Sequence, residues 1–523
     1  MCMPIENAAA WRWPVKPRHG VQRPHHLSGR IRWPLITGLT VLAAVLRAAA
    51  SFNDLWLDEV WTLWLIAQLV HEPSDIVRGF MRHDNNHLLN TFWMYLLGPH
   101  LPSIIYRLPS VVAGSLAVVP AALIGRSRGP LTAVACGAAF AIDFMLVNLG
   151  SEARGYGVMS LCVVVAQWLA LEHGGSGAAE RRQHGSWRPI LFNACCIIGF
   201  LAHLSFVFCF AAIAAWALLV SVVEWRGDRG AWRQIAGEYL AWHAAPAAAA
   251  GLLYVGFVRQ MGFGGGSSDG AGATAIAAVA AIVGCPLVSP WQFVAAAVGA
   301  AAGGVCLLRY WQDSWRRGAF FLLSIVLVPM AVIAAFPVAY YSVRYFLVPA
   351  QTMLLLVASE LPRALGVGPR DRVGAADLRR GGLAWLMILG ITFVMLNLAR
   401  DAVLIARGRG SVVATLRWIS DRSRVDGPVI TCYCNQEFRT RLLIAYHSDR
   451  LPGRKLRLYA PETLPPQGAE WYILNDQRDF GTGRDRIADR HGNRYDRCHE
   501  MRSGGLSPAH WHVYRNIATD PPP

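Results

Sequence analysis

Between Pro34 and Leu398 the chain repeats one pattern, a long apolar stretch followed by a short polar connection. A bilayer hydrocarbon core about 30 Å thick is crossed by about 20 helical residues. In hydrocarbon, backbone N–H and C=O groups must find partners inside the protein, so such stretches fold as spanning helices. The expected spans are Pro34–Ser51, Leu108–Gly125, Leu131–Leu149, Tyr156–Leu171, Ile190–His203, Phe206–Val223, Leu240–Val258, Trp291–Leu308, Ala319–Phe336, Tyr345–Leu361 and Gly382–Leu398, about eleven in all. Ile190 to Val223 is one apolar run too long for a single helix, so it folds into a hairpin near His203–Ser205. Thr274–Val283 is Ala-rich and short, a further span or a re-entrant piece. Only 16% of residues are charged, against about 25% in soluble domains, which excludes a string of aqueous domains. Abundant large apolar residues exclude disorder.

Orientation follows from the cations. A net charge of +16 would suit a polyanion. The arginines, however, lie in clusters between apolar stretches, which fits the positive-inside rule and gives no nucleic-acid partner. One side receives the basic leader 1–33, Arg126, Arg128, Arg181, Arg182, Arg188, Arg226, Arg229, Arg233, Arg309, Arg316, Arg317, Arg363, Arg370, Arg372, Arg379 and Arg380. The other holds Arg47, Arg78, Arg82, Arg107, Arg154, Arg259 and Arg344. The N-terminus is therefore cytoplasmic and, with an odd span count, everything after Leu398 is outside. The expected architecture is an α-helical polytopic membrane protein, with leader 1–33, transmembrane domain 34–400 and a small external α/β domain 401–523. In the first external loop, Trp61–Val70 and Leu88–Leu97 are too short to cross and carry aromatics, so they read as interfacial helices. Gly264–Ala273 reads as a flexible external linker. In the tail, Pro428–Cys434, Leu456–Ala460 and Trp471–Asn475 read as strands and Glu437–His447 as a helix. Cys432 and Cys434 share one face of a strand; in an oxidising compartment one of them bonds Cys498, or the thiols stay unpaired.

Five polar features fall on the outer side. Charged groups beside membrane helices are costly without water or partners, which makes them functional candidates. Asp58 and Glu59, in LWLDEVW between Trp56 and Trp61, suit a general base, or an N-cap. HDNNHLLN gathers His83, Asp84, Asn86 and His87; its amides suit a polyol, and two histidines four apart match metal-ligand spacing on a helix. SEARGYG carries Glu152, Arg154 and Tyr156. Glu152 and Arg154 pair with each other, or Arg154 binds a phosphate through its guanidinium fork. YYSVRY places Arg344 and Tyr345 among aromatics, and His203 stands alone in its hairpin. A carboxylate base with hydroxyl-binding amides and phosphate-binding arginines fits transfer of a group away from a phosphate.

At these residues the sequence resembles the bacterial GT-C glycosyltransferases that use polyprenyl-phosphate sugars, relatives of protein O-mannosyltransferases, lipid A aminoarabinose transferase and lipopolysaccharide galacturonosyltransferases. The resemblance runs from Arg47 through LWLDEVWTLWL, the His87 region, RLPSVVAGSLAVVPAALIGRSRG, SEARGY and VRYFLVPA. It weakens after Val223 and is absent from the tail. Two departures stand out. Asp84-Asn85-Asn86-His87-Leu88-Leu89-Asn90 lacks the family's proline pair, and Ala202-His203-Leu204 lacks its hydroxyl neighbours.

The resemblance implies an inverting displacement on the periplasmic face of a bacterial inner membrane, with no cofactor. Asp58 takes the acceptor's proton, Glu59 orients Asp58 or a sugar hydroxyl, Arg154 and Arg344 stabilise the departing lipid phosphate, and His87 lines the donor pocket. The partners are a polyprenyl-phosphate-linked sugar, a lipid, glycan or protein acceptor, and membrane lipid. A transporter or flippase of lipid-linked glycans is the rival reading; it would place charges near the midplane in broken helices.

Overall fold

The computed structural model describes residues 33–175, 187–227, 229–262, 270–287, 290–336, 341–365, 376–424, 428–448, 455–476, 484–506 and 510–519. The leader, Arg181, Arg182, Arg370, Arg372 and most of the Gly264–Ala273 linker lie outside these residues.

Each of the eleven expected spans is helical. Helix α1 covers Trp33–Ala49, and the segment between it and the next span folds into α2 (Leu57–Leu69) and α3 (Leu88–Leu97), the two short helices expected there. The next span runs from Ser103 to Arg126 as α4 (Ser103–Leu116) and α5 (Val118–Arg126). Two prolines shape it. Pro120 has no N–H for the carbonyl of Leu116, so the helix steps at Ala117. Pro109 likewise releases the carbonyl of Ile105, which accepts instead from the Trp93 indole at 3.2 Å and so ties α3 to α4.

The third stretch divides into α6 (Pro130–Ile142) and α7 (Phe144–Leu149). Asp143 caps α7 by accepting from the Leu146 N–H at 2.9 Å. The α6 carbonyls released there accept from Arg47, Phe140 at 3.0 Å and Ala141 at 3.2 Å. Glycines at 114 and 150 leave space for that guanidinium, since a Cβ at either would lie 2.9 Å from its Nε.

Helices α8 (Tyr156–Gly175), α9 (Trp187–Ala202) and α10 (Phe206–Gly227) follow, with the expected hairpin between Ala202 and Phe206. Next come α11 (Trp232–Gly256), α12 (Ala271–Ile282) and α13 (Trp291–Asp313). Then α14 (Trp315–Leu322) and α15 (Val328–Ala335) flank a π-helical turn at Leu323–Leu327, followed by α16 (Leu347–Ala364) and α17 (Ala376–Arg407).

Among the described residues eight helices are long and apolar enough to cross a membrane. The stretches at Trp33–Ala49, Pro130–Ile142 and Trp187–Ala202 are shorter. The 12 residues of α12 rise only about 18 Å at 1.5 Å each, too little to cross alone.

The tail forms α18 (Val412–Arg422), β1 (Val429–Cys434), α19 (Glu437–Ser448), β2 (Lys455–Tyr459), β3 (Trp471–Asp476), β4 (Arg486–Ala488), β5 (Arg494–Met501) and β6 (His510–Asn516). The six strands make one sheet in the order β2-β1-β3-β6-β5-β4. The β1 pairings with β2 and β3 are parallel, while β6 returns antiparallel to β3 and β5 antiparallel to β6. A disulfide from Cys498 to β1 is therefore ruled out. Cys498 lies on β5, three strand spacings or about 14 Å from β1 at about 4.8 Å each, whereas a bridge needs Cα atoms within about 7 Å. Cys432, Cys434 and Cys498 are all free thiols.

The tail packs on the side of the first external loop. The His447 ring meets the Leu55 carbonyl at 3.0 Å, the Asp54 carboxylate accepts from the Val413 N–H at 2.9 Å, and Phe438 meets Trp61 edge-on at 5.7 Å.

Candidate active site

Asp58 stands in the first turn of α2, where a carboxylate also suits the helix dipole. Its Oδ2 accepts from two guanidiniums at once, Arg154 Nη1 at 2.5 Å and Arg344 Nη1 at 2.7 Å. Arg154 comes from the Ser151–Gly155 loop, and Arg344 from the single 3₁₀ turn, Val343–Phe346, that leads into α16. Burial raises the Asp58 pKa, but Arg344 and Arg154 outweigh it and hold the carboxyl below its ordinary range. Trp56 lies 5.8 Å from each guanidinium, so one indole lies beside both cations. Asp58, Arg154 and Arg344 thus meet in one cluster, although 286 residues separate the first from the last.

Glu59 is oriented differently. Its carboxylate forms a bidentate pair with Arg107, at 2.8 Å from Nε and 2.6 Å from Nη2, and both side chains are 0% exposed. It also accepts from the Trp56 N–H at 3.0 Å and the Ala153 N–H at 2.6 Å. Every lobe of the acid is taken, so it has no hydrogen-bonding capacity left for Asp58 or a sugar hydroxyl. Burial again raises its pKa, and Arg107 more than compensates. The expected substrate-orienting role for Glu59 is replaced by a structural one: it fixes the start of α2 to the Arg154 loop.

That loop is wedged between helices. A Cβ at Gly155 would fall 1.7 Å from the Ala202 carbonyl, and one at Gly157 would fall 2.4 Å from that of Ser110. Glu152 and Arg154 do not pair with each other. Glu152 accepts from Arg409 Nε at 3.2 Å and Asn148 Nδ2 at 3.0 Å. Arg409, itself buried, also donates to the Ala50 carbonyl at 3.2 Å, the Asn148 carbonyl at 2.5 Å and the Ser151 hydroxyl at 2.7 Å. Gly408, at φ +62, ends α17 in a left-handed turn next to Arg409. Arg409 escapes a sequence reading because nothing local marks it; it lies just after α17, 257 residues from the Glu152 it holds.

The HDNNHLLN cluster divides. Asn86 spends its amide on the carbonyls of Ile76 at 2.7 Å and Met81 at 2.8 Å, shaping the loop. Asp84 accepts from the Tyr345 hydroxyl at 3.1 Å. The helical spacing expected of His83 and His87 does not exist. His83 lies in a bridge to Gly262 with its ring stacked on Trp61 at 4.8 Å, and His87 precedes α3. No group of three His, Cys, Asp or Glu side chains suited to a metal ion occurs among the described residues. His87 Nε2 accepts from Arg154 Nε at 2.8 Å, which needs a neutral ring; burial, then Arg154, hold its pKa well below the usual value. Its ring stacks on His203 at 4.6 Å, and His203 in turn lies 4.4 Å from Tyr156.

Around Asp58 several buried polar atoms have no hydrogen-bond partner among the described residues. They are Tyr156 Oη, His203 Nε2, His83 Nε2, Trp56 Nε1, Asn85 Oδ1 and Arg344 Nε. Leaving such groups unpaired costs about 1–3 kcal/mol each, a cost that water or a polar ligand removes.

No known family profile and no curated protein matches this sequence. Solved structures of similar shape include ArnT from Cupriavidus metallidurans bound to undecaprenyl phosphate, with 13% identity over 94% of this chain and 99% of that one, at a TM-score of 0.47. The apo form of that protein aligns over the same shares at 13% identity with a TM-score of 0.46. The archaeal oligosaccharyltransferase AglB from Archaeoglobus fulgidus, in complex with an inhibitory peptide and a dolichol-phosphate, aligns at 11% identity over 85% of this chain and 69% of that one, at a TM-score of 0.45.

Proposed function

We propose that this chain is an integral membrane glycosyltransferase of the GT-C type, moving a sugar from a polyprenyl-phosphate donor to a hydroxyl of a glycolipid, glycan or protein on the periplasmic face of a bacterial inner membrane. The observation that carries this reading is one carboxylate oxygen shared by two guanidiniums, ringed by unpartnered buried polar atoms.

In the empty site Asp58 serves as the anion for Arg154 and Arg344. A donor phosphate offers both arginines a second acceptor with matching oxygens. As it draws them away, Asp58 loses the cations that depress its pKa and becomes a stronger base. The acceptor oxygen attacks the anomeric carbon while Asp58 takes its proton. The bond from that carbon to the phosphate oxygen breaks, and the phosphate leaves with the electron pair onto the two arginines. The sugar is transferred with inversion. Base catalysis of this kind contributes about 10²–10⁴-fold, and the preorganised cations supply the electrostatic component. Tyr156 and His203 offer the leftover donors for sugar hydroxyls or phosphate oxygens. The lipid part of the donor gains about 0.8 kcal/mol per CH₂ by staying in the bilayer, which is why such an enzyme is embedded there. Functional groups gathered at helix ends on one face favour this reading over a transporter, whose site belongs at the midplane.

The test is Asp58→Asn in full-length protein that still inserts and expresses. Transfer from purified polyprenyl-phosphate sugar should be abolished. Turnover near that of the unaltered protein would remove Asp58 as the base.

A further inference from the structure

At the opposite membrane face from Asp58, the ends of α8 and α13, the middle of α10 at Trp216 and the start of α14 line an open cavity of about 350 Å³. Three cations line it, Arg128, Arg316 and Arg317, beside the apolar walls Trp216 and Leu171. Arg128 is the telling residue. Its side chain is only 8% exposed; Nη1 holds Asp313 at 2.7 Å, Nε lies 3.4 Å from Glu360, and the guanidinium stacks on Tyr310 at 3.9 Å. Its Nη2 has no hydrogen-bond partner among the described residues.

The start of α14 lacks compensation in the same direction. The first N–H groups of a helix have no intrahelical acceptor. Ser314 provides no side-chain cap, no acid stands in the first turn, and two arginines occupy it instead. Two cations at the positive end of a helix dipole are unfavourable; Glu224 offsets Arg316, and Asp313, which lines the same cavity, is shared by Arg128 and Arg363, so Arg317 remains without an ion pair among the described residues. Arg316 is engaged by Glu224 and the Gly174 carbonyl, both at 3.2 Å, while Arg317 donates to the Ser127 hydroxyl at 3.4 Å, its only hydrogen bond among the described residues.

Depth identifies the anion. Trp311 and Trp315, 46% and 36% exposed, lie on either side of the α13–α14 junction that lines the cavity, and exposed tryptophans of membrane helices settle at headgroup level. A basic pocket between helices, with apolar walls and at that level, matches a lipid phosphate with acyl chains attached. We infer that this cavity binds the phosphate of an anionic phospholipid from the leaflet opposite the Asp58 site, with Arg128 Nη2, Arg317 and the α14 N-terminus as its donors.

The test uses full-length protein purified in detergent and washed free of lipid. It is then titrated with dioleoyl-phosphatidylglycerol, with dioleoyl-phosphatidylcholine, or with inorganic phosphate. Thermal midpoint and lipid adducts in native mass spectrometry are the readouts. Phosphatidylglycerol should raise the midpoint and persist as an adduct, whereas phosphatidylcholine and inorganic phosphate should do neither. The pair Arg316→Gln/Arg317→Gln should weaken the response at least tenfold. Arg226→Gln/Arg233→Gln, with equal loss of charge on the same face, should retain it, and Arg316→Lys/Arg317→Lys should retain part of it. Equal responses in both glutamine pairs, or no preference over phosphatidylcholine, would overturn the site. An equal response to inorganic phosphate would overturn the lipid assignment.

Discussion

Glu59→Gln separates a structural acid from a catalytic one. Glu59 and Arg107 are both fully buried and joined by two hydrogen bonds of 2.6 and 2.8 Å. Glutamine keeps the shape but removes the charge, and one of its two terminal atoms becomes a donor. In either orientation that donor faces one N–H of Arg107 together with the backbone N–H of Ala153 or of Trp56, all donors themselves. Breaking a buried pair while leaving the other charge in place costs about 3–5 kcal/mol, an unfolding constant larger by roughly two to four orders of magnitude. Against the 5–15 kcal/mol typical of a folded chain, the loss is large. Reversible unfolding in mild detergent should show it directly, and Arg107→Gln should show a loss of similar size. Transfer activity should fall in proportion to the folded fraction lost. A Glu59→Gln protein as stable as the unaltered one, within about 0.5 kcal/mol, yet inactive, would refute the argument and return Glu59 to the chemistry.

Three further outcomes follow from the same geometry. Arg409→Gln strands the buried Glu152 and should cost about 3–5 kcal/mol; limited proteolysis should then release the tail faster, with Arg409→Lys intermediate, because an ammonium lacks the fork that reaches four acceptors. His87 has its pKa held well below the value of about 6.5 expected when unfolded, so the unfolded chain binds the proton first and stability should fall as pH drops below about 6.5. Unfolding at pH 7 and pH 5 measures this, and His87→Gln should reduce the difference, with the similarly depressed His203 and His83 supplying the rest; an unchanged slope would exclude His87 as a source. Cys498→Ser should leave the thermal midpoint unchanged with or without reductant, whereas a reductant-sensitive midpoint abolished by this substitution would contradict the strand order.

The bundle was legible because apolar length and arginine placement act over whole segments. The interruptions at Ala117 and Asp143 were not, since the sequence stays apolar through both and a single Pro120 or Asp143 decides each step. At the site, Asp58, Arg154 and Arg344 were found from local motifs. Glu59 was grouped with Asp58 because adjacent acids look equivalent in a string, whereas on a helix successive side chains diverge by about 100°, sending one to Arg344 and its neighbour to Arg107. The strands β1 to β3 stood out through their apolar runs. Strand β6, HWHVYRN, is almost wholly buried but intersperses His, Arg and Asn with Trp, Val and Tyr, so no apolar run marks it and only the finished sheet explains the burial of its polar residues.

The partner of Glu152 lies 257 residues downstream of it. At 5–20 residues per second, a ribosome needs about 13–50 s to travel from one to the other. Throughout that interval the acid waits without its cation, and the segment presenting Arg154 is held by Glu59 and Ser110 but lacks the last of its anchors. The Asp58 cluster is therefore completed last, once the segment after α17 has packed beside the Ser151–Gly155 loop. A prematurely terminated chain would contain every residue that contacts Asp58 among Arg154, Arg344 and Trp56, and still have no settled place to hold them.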